Sequence, residues 1–166
     1  MISTGHKDIY MELIAHRGCS FEAPENSCEA FEWAIDSCAD RIEFDMRMTA
    51  DGIPVICHDP TTGRTGDCDL VIAESAYSDL RRVRLSNGEP IPTLEEVCRR
   101  FGGRISFDLE LKQATASRLK EILEILDRYT LLETTWITSF DWSLLSGLRA
   151  SGFKGRTGLI VGSRSL

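Results

Sequence analysis

From residue 42 to residue 48 the chain alternates, with Ile42, Phe44, Met46 and Met48 apolar and Glu43, Asp45 and Arg47 polar. A two-residue period is that of a strand with two unlike faces, so Glu43 and Asp45 project to the same side. The period returns over 104–112, where Ile105, Phe107, Leu109 and Leu111 share one face and Ser106, Asp108, Glu110 and Lys112 the other. If the apolar faces meet helices, the acids point away from them, and in a closed barrel the lumen can be that polar side. Asp51-Gly52 follows the first strand, a dipeptide favoured where both central turn residues need positive φ, and an apolar run then leads into His58. A two-residue hairpin would set His58 opposite Asp45. Pro54 cannot donate to such a ladder, and a parallel second strand is the competing geometry.

The flanking pattern alternates strand and helix. Residues 11–15 are a short apolar run, predicting a buried strand that ends in His16-Arg17-Gly18. Asn26 is placed to cap a helix, with Glu29 three residues on and an apolar stripe of Phe31, Ala34, Ile35 and Cys38. Residues 60–69, rich in Thr, Gly and Asp, read as a loop that either folds over a site or is solvated, with Arg64 its only cation. A weakly helical stretch covers 73–85. Thr93 and Glu96 form a capping box before a helix that stops at Gly102-Gly103. Residues 117–129 carry the clearest helical stripe, 136–140 a strand, 142–150 a helix capped by Asp141 and ended by Gly152, and 158–161 a further strand. The alternation argues for one α/β domain over 1–166 with a parallel sheet and helices packed outside.

Composition narrows the function. With 166 residues, 42% hydrophobic and 27% charged, the chain is an ordinary soluble domain. A net charge of −7 argues against nucleic acid or an anionic membrane as partner. No stretch has the length of a signal peptide or a membrane span, which makes the cytoplasm the expected location. The six cysteines form no CxxC pair, so free thiols fit better than a zinc cluster or a disulfide framework. His6 reads as an exposed terminal residue. Glu43 and Asp45 alone would be solvent-facing strand acids. Joined by Glu110 they would repel one another unless a cation neutralised them, and oxygen ligands suit Mg²⁺ or Ca²⁺ rather than zinc.

Taken together, AHRGCSFEAPENS at 15–27, IEFDMRMTADGIPVICHD at 42–59, IPTLEEV at 91–97, LELK at 109–112 and, more weakly, ITSFDWSLL at 137–145 resemble the glycerophosphodiester phosphodiesterase family of the phosphatidylinositol phospholipase C-like barrels. The resemblance covers nearly the whole chain. It implies a TIM-type (β/α)8 barrel in which Glu43, Asp45 and Glu110 hold one divalent ion, Mg²⁺ or Ca²⁺. His16 and His58 would be the acid and base, and Arg17 and Lys112 would contact the substrate phosphate. The implied reaction is hydrolysis of a glycerophosphodiester to sn-glycerol 3-phosphate and an alcohol, by attack of the substrate's own glycerol hydroxyl and opening of a cyclic phosphate. A lysophospholipase D or cyclising phospholipase, or an inert fragment acting as a binding module, are the alternatives. Ser27 stands where the family often has Thr, and Asp108 adds a charge near the acids.

A (β/α)8 barrel usually takes about 250 residues. Here the pattern runs to a sixth strand, so a barrel truncated after about six strands is expected, with open edges that favour self-association.

Overall fold

The computed structural model describes residues 11–112 and 116–162, and His6 lies outside them. Along the chain run β1 (Ile14–His16), α1 (Cys28–Asp36), β2 (Arg41–Met48), β3 (Pro54–Ile56), a 3-10 turn (Ile72–Glu74), α2 (Tyr77–Leu80), α3 (Leu94–Phe101), β4 (Ser106–Leu111), α4 (Ala116–Arg128), β5 (Thr135–Ser139), α5 (Trp142–Ala150) and β6 (Arg156–Leu159). The strands form one sheet in the order β1-β2-β4-β5-β6, each neighbour parallel to the next, and β3 pairs antiparallel with β2. The open choice at residues 53–58 thus resolves to a hairpin, so five of the six strands are parallel.

The predicted alternation sorts the sheet into two unlike faces. Ile42, Phe44, Met46, Phe107, Leu109, Leu111 and Ile137 are buried in one cluster with Phe31, Val97, Phe101, Leu119, Ile122 and Leu126 of the helices. Phe31, Phe44, Phe101 and Phe107 form its centre, with ring centroids 5.3–5.6 Å apart in tilted and edge-on contacts. The other face is polar, as a barrel lumen would be. At its N-terminal end Arg41 donates to the carbonyls of Phe107 (2.7 Å) and Thr134 (3.1 Å), pairs with Glu12 (2.9 Å) and lies 4.1 Å over the Trp136 ring. A smaller cluster of Val55, Cys57, Ile72, Leu80, Val83, Leu85 and Ile91 anchors β3 and the segment after it.

Several local expectations shift. The first strand is Ile14–His16, and Met11, Leu13 and Ile14 are exposed rather than buried, because among the described strands β1 is paired on one side, by β2. The cap of α1 is Ser27, whose Oγ accepts the Ala30 N–H at 3.0 Å, while Asn26 has φ +59° and serves elsewhere. Phe31 and Ala34 face the core, but Cys38 falls past the helix end at φ +58° and is exposed. The helical part of residues 73–85 is the end of the 3-10 turn and the one-turn α2, and Arg84 and Leu85 form isolated antiparallel bridges. The capping box at Thr93 and Glu96 is closed in both directions, at 2.9 and 3.1 Å.

The turn between β2 and β3 has a further consequence. Thr49 Oγ1 accepts the Ile53 N–H (2.8 Å), Thr49 N–H donates to the Ile53 carbonyl (3.1 Å), and Gly52 alone in the turn takes positive φ, +84°. This is the longer turn in which one glycine supplies the left-handed position. The register becomes Met46↔Ile56 and Met48↔Pro54, one residue away from the two-residue hairpin. Cys57, not His58, therefore meets Asp45, with its N–H donating to the Asp45 carbonyl at 2.9 Å.

Because Ser27 is fully buried and fills the cap, Ser27→Ala is expected to destabilise the fold by about 1 kcal/mol, measured by urea denaturation.

Candidate active site

Strand register gathers the acids. In the parallel pairing of β2 with β4, Glu43 lies beside Asp108 and Asp45 beside Glu110, and β1 sets His16 beside Glu43. One oxygen from each of Glu43, Asp45 and Glu110 falls within 4.8 Å of the others, and all three residues are buried. Asp108, lower on the same face, accepts a hydrogen bond from Thr138 Oγ1 (2.8 Å), and burial raises its carboxyl above the ordinary range.

Between β1 and β3 the edge of β2 is left without a strand partner at Asp45, and the β1–α1 loop fills the gap. Arg17, at φ +59°, donates its N–H to both the carbonyl (2.9 Å) and Oε2 (3.0 Å) of Glu43. Gly18 follows at φ +80°, where a Cβ would stand 2.8 Å from the Ala30 backbone. At the far end of the loop the Asn26 side chain substitutes for a strand. Its Oδ1 accepts the Asp45 N–H (3.3 Å) and its Nδ2 donates to Asp45 Oδ2 (2.9 Å). Asn is among the residues that best tolerate the left-handed backbone this requires. The loop ends are tied by the Asn26 N–H to the Arg17 carbonyl at 3.0 Å.

Two cations enter the cluster. Arg17 Nε lies 3.2 Å from Asp45 Oδ2, with Nη1 donating to Glu25 at 3.0 Å. Lys112 Nζ stands 3.1 Å from Asp45 Oδ1 and 2.6 Å from Glu110 Oε1. Burial pushes against ionisation of Asp45, but the Asn26 amide, Lys112 and Arg17 together hold its carboxyl below the usual range. Glu43 has no such support. Burial, then the neighbouring Asp45 charge, push it up to about 8, against the Arg17 N–H. Glu110 is raised, by burial first, with Lys112 opposing. His16 Nε2 is 3.8 Å from Glu43 Oε2 on a side chain 71% exposed.

His58 stands apart from this contact set. With the ladder ending at Ile56, the Arg47 guanidinium takes the His58 carbonyl at 2.8 and 2.6 Å, and the ring Nδ1 pairs with Asp59 Oδ1 at 2.7 Å. His58 joins the cluster indirectly. Asp59 pairs with Arg64, Arg64 with Glu25, Glu25 with Arg17, and Arg17 with Asp45.

The model for the glycerophosphoryl diester phosphodiesterase family matches residues 16–160. The chain belongs to this family. Among curated relatives, glycerophosphodiester phosphodiesterase 1 of Homo sapiens is 35% identical over 133 residues, covering 72% of this chain and 40% of that protein. The glycerophosphodiester phosphodiesterase of Caldanaerobacter subterraneus is 30% identical over 140 residues, covering 78% and 58%. A phosphodiesterase of Oleispira antarctica, solved with the product sn-glycerol-3-phosphate, superposes with a TM-score of 0.85 at 28% identity, over 92% of this chain and 67% of that one. The glycerophosphodiester phosphodiesterase of Agrobacterium tumefaciens gives 0.83 at 25% identity, over 89% and 66%. The chain therefore spans less than two thirds of the length of these curated relatives, and its strands and helices form an arc of the family's α/β barrel.

Within this family member, the acidic triad and the two cations predicted from sequence meet in one place. Asn26, Glu25, Asp59 and Arg64 were not singled out as site residues. Asn26 and Ser27 are both residue types that cap helices and one helix needs only one of them, which was the available signal.

Proposed function

We propose that the chain carries the metal-binding, phosphate-binding and acid–base groups of a metal-dependent glycerophosphodiester phosphodiesterase, which hydrolyses glycerophosphodiesters to sn-glycerol 3-phosphate and an alcohol. The convergence of Glu43, Asp45 and Glu110 beside Arg17 and Lys112 carries the reading. Asp45 Oδ1 and Glu110 Oε1 are buried oxygens that share only the Lys112 ammonium, and three converging carboxylates suit a hard divalent cation, Mg²⁺ or Ca²⁺. Such an ion, when bound by the three carboxylates, would offset negative charge on a phosphodiester.

Arg17 and Lys112 are proposed to hold the phosphate oxygens. Arg17 does so from a backbone fixed by two bonds to Glu43, which costs no reorganisation as charge develops. His16, exposed at the mouth, and His58, braced through Asp59, are the proposed proton carriers. One takes the proton of the attacking hydroxyl and the other gives a proton to the leaving alcohol oxygen.

A lysophospholipase D is the second reading. Phe21, Phe140 and Trp142, which follow the C-terminal ends of β1 and β5, are 95%, 57% and 68% exposed and offer apolar surface at the site's end of the sheet. Hydrolysis of glycerophosphocholine against a lysophospholipid separates the two. A reducing, cytoplasmic setting belongs to the same proposal, supported by six cysteines that are all free. Among the described residues no helix is long and apolar enough to cross a membrane.

The metal part is tested without turnover. A divalent ion that binds only the folded chain stabilises it, by about 2.7 kcal/mol at a concentration 100 times Kd. Scanning calorimetry with Mg²⁺, Ca²⁺ and EDTA should show this rise in Tm, and Glu110→Ala should abolish it. One melting temperature in all three conditions would remove the metal from the proposal. Self-association is likewise proposed, because β1 and β6 are each paired on one side among the described strands and Leu13 and Leu159 are exposed there. Light scattering of the bare chain checks it, and a monodisperse monomer would contradict it.

A further inference from the structure

The loop at 60–69 contributes a single cation, and that cation turns back toward the site. Arg64 donates from Nη2 to Glu25 Oε1 (2.6 Å) and from Nη1 to Glu25 Oε2 (2.9 Å), while its Nε pairs with Asp59 Oδ2. The other oxygen of Asp59 meets His58 Nδ1 at 2.7 Å. One guanidinium therefore joins the two loops that carry the proposed proton carrier His58 and the phosphate-binding Arg17.

We propose that Arg64 is a positioning residue. By clamping Asp59 it fixes His58 as the Nδ1–H tautomer, leaving Nε2 as the ring nitrogen that exchanges a proton with substrate, and by the same guanidinium it holds Glu25 against Arg17. This rests on the reading of His58 as a proton carrier, but its geometry stands apart from the carboxylate cluster.

The tautomer follows from the partners. An ionised carboxylate only accepts hydrogen bonds, so a neutral ring facing Asp59 must present N–H at Nδ1 and its lone pair at Nε2. Asp59 is held ionised, its carboxyl brought down to about 2 mainly by the hydrogen bond from Arg64, with burial opposing and His58 adding. The His58 carbonyl is already fixed by Arg47, at 2.8 and 2.6 Å, so ring rotation is the freedom left for Asp59 to remove. The forked arrangement needs arginine. A lysine is a point charge that cannot offer three directed donors to two carboxylates in one plane. Arg64 is 48% exposed, and ion pairs of that exposure contribute little to stability, so the consequence lies in orientation rather than in folding.

The test is nitrogen–proton correlation NMR of the imidazoles, run well above the ordinary histidine pKa of about 6.5, on the wild-type chain and on Arg64→Gln and Arg64→Lys. The wild type should show His58 as the Nδ1–H form. Arg64→Gln should move it toward the Nε2–H form that free side chains favour, and Arg64→Lys should move it less. An Nε2–H signal in the wild type, an unmoved spectrum in Arg64→Gln, or an Arg64→Gln chain that fails to fold would each overturn the positioning role, the last by making Arg64 structural.

Glycerophosphocholine hydrolysis is read in parallel. Where the wild type turns over, Arg64→Gln should lower kcat by roughly tenfold or more with KM little changed, a part of the 10²–10⁴ that proton transfer contributes. A tautomer that shifts as expected in a chain without turnover keeps the positioning role and removes the phosphodiesterase reading. Turnover with an unmoved tautomer does the reverse.

Discussion

Asp45→Ala is expected to cost about 3–5 kcal/mol, a large part of the roughly 5–15 kcal/mol that holds a domain of this kind together. Asp45 is fully buried, accepts a hydrogen bond from the Asn26 amide and is ion-paired with the Arg17 guanidinium and the Lys112 ammonium. Its removal leaves the Arg17 and Lys112 cations without the carboxylate between them and strips the Asn26 Nδ2 of its acceptor. Glu43 is the opposite case. A carboxyl pushed up to about 8, by burial first and by Asp45 second, is a group the fold prefers protonated. Its folded pKa lies above the ordinary value of 4.5, so its stabilising contribution is complete below that value and is lost as pH rises through about 8. Glu43→Gln should therefore flatten the decline of metal-free stability between about pH 5 and pH 9, and match or exceed the wild type at the alkaline end. Urea midpoints across that range read both variants. Asp45→Ala with wild-type stability, or a Glu43→Gln curve parallel to the wild type, would show that the charges are distributed otherwise.

His58→Ala should lower glycerophosphodiester turnover by about 10²–10⁴ while leaving the fold intact, and His16→Ala should do the same, as befits groups whose work is confined to the transition state. Neither side chain supports the core. His16 is 71% exposed and His58 is 32% exposed. Initial rates with glycerophosphocholine, on variants whose melting curves match the wild type, decide each role separately. Full activity in either variant would exclude that histidine.

The parts of this site that lie within strands were legible in the sequence, because a two-residue period fixes which side chains share a face. Glu43, Asp45 and Glu110, with Lys112 just past the end of β4, needed only that rule, plus a parallel register, to meet. The parts held by turns were not. His58 was set opposite Asp45 by a turn one residue too short, since Asp51-Gly52 suits more than one hairpin and the Thr49 hydroxyl, which selects the longer turn, has no signature in hydropathy. Asn26 was read as a cap because a polar residue before a helix is ordinarily that, while its actual partner is a backbone amide nineteen positions away. Arg64 was visible as a lone cation in a polar loop, but its two carboxylate partners depend on how that loop folds. For β1 the apolar run was plain, and its exposure reflects the absence of a neighbour on its outer side among the described strands.

The hairpin also sets an order of events in folding. Joining Met48 to Pro54 closes a short turn, whereas Arg41 must find Ser106, Phe107 must find Thr135 and Trp136 must find Arg156 across whole helical crossovers. Closing longer loops costs more entropy before any contact repays it, so β2 and β3 are the natural first pair and the parallel contacts come later. At that early stage Glu43 and Asp45 are side by side without Glu110, Lys112 or the Asn26 plug. The pairing of β2 with β4 spans the longest of these crossovers and is therefore expected to come late, and it brings a third acid and its own counterion together on one face of the sheet.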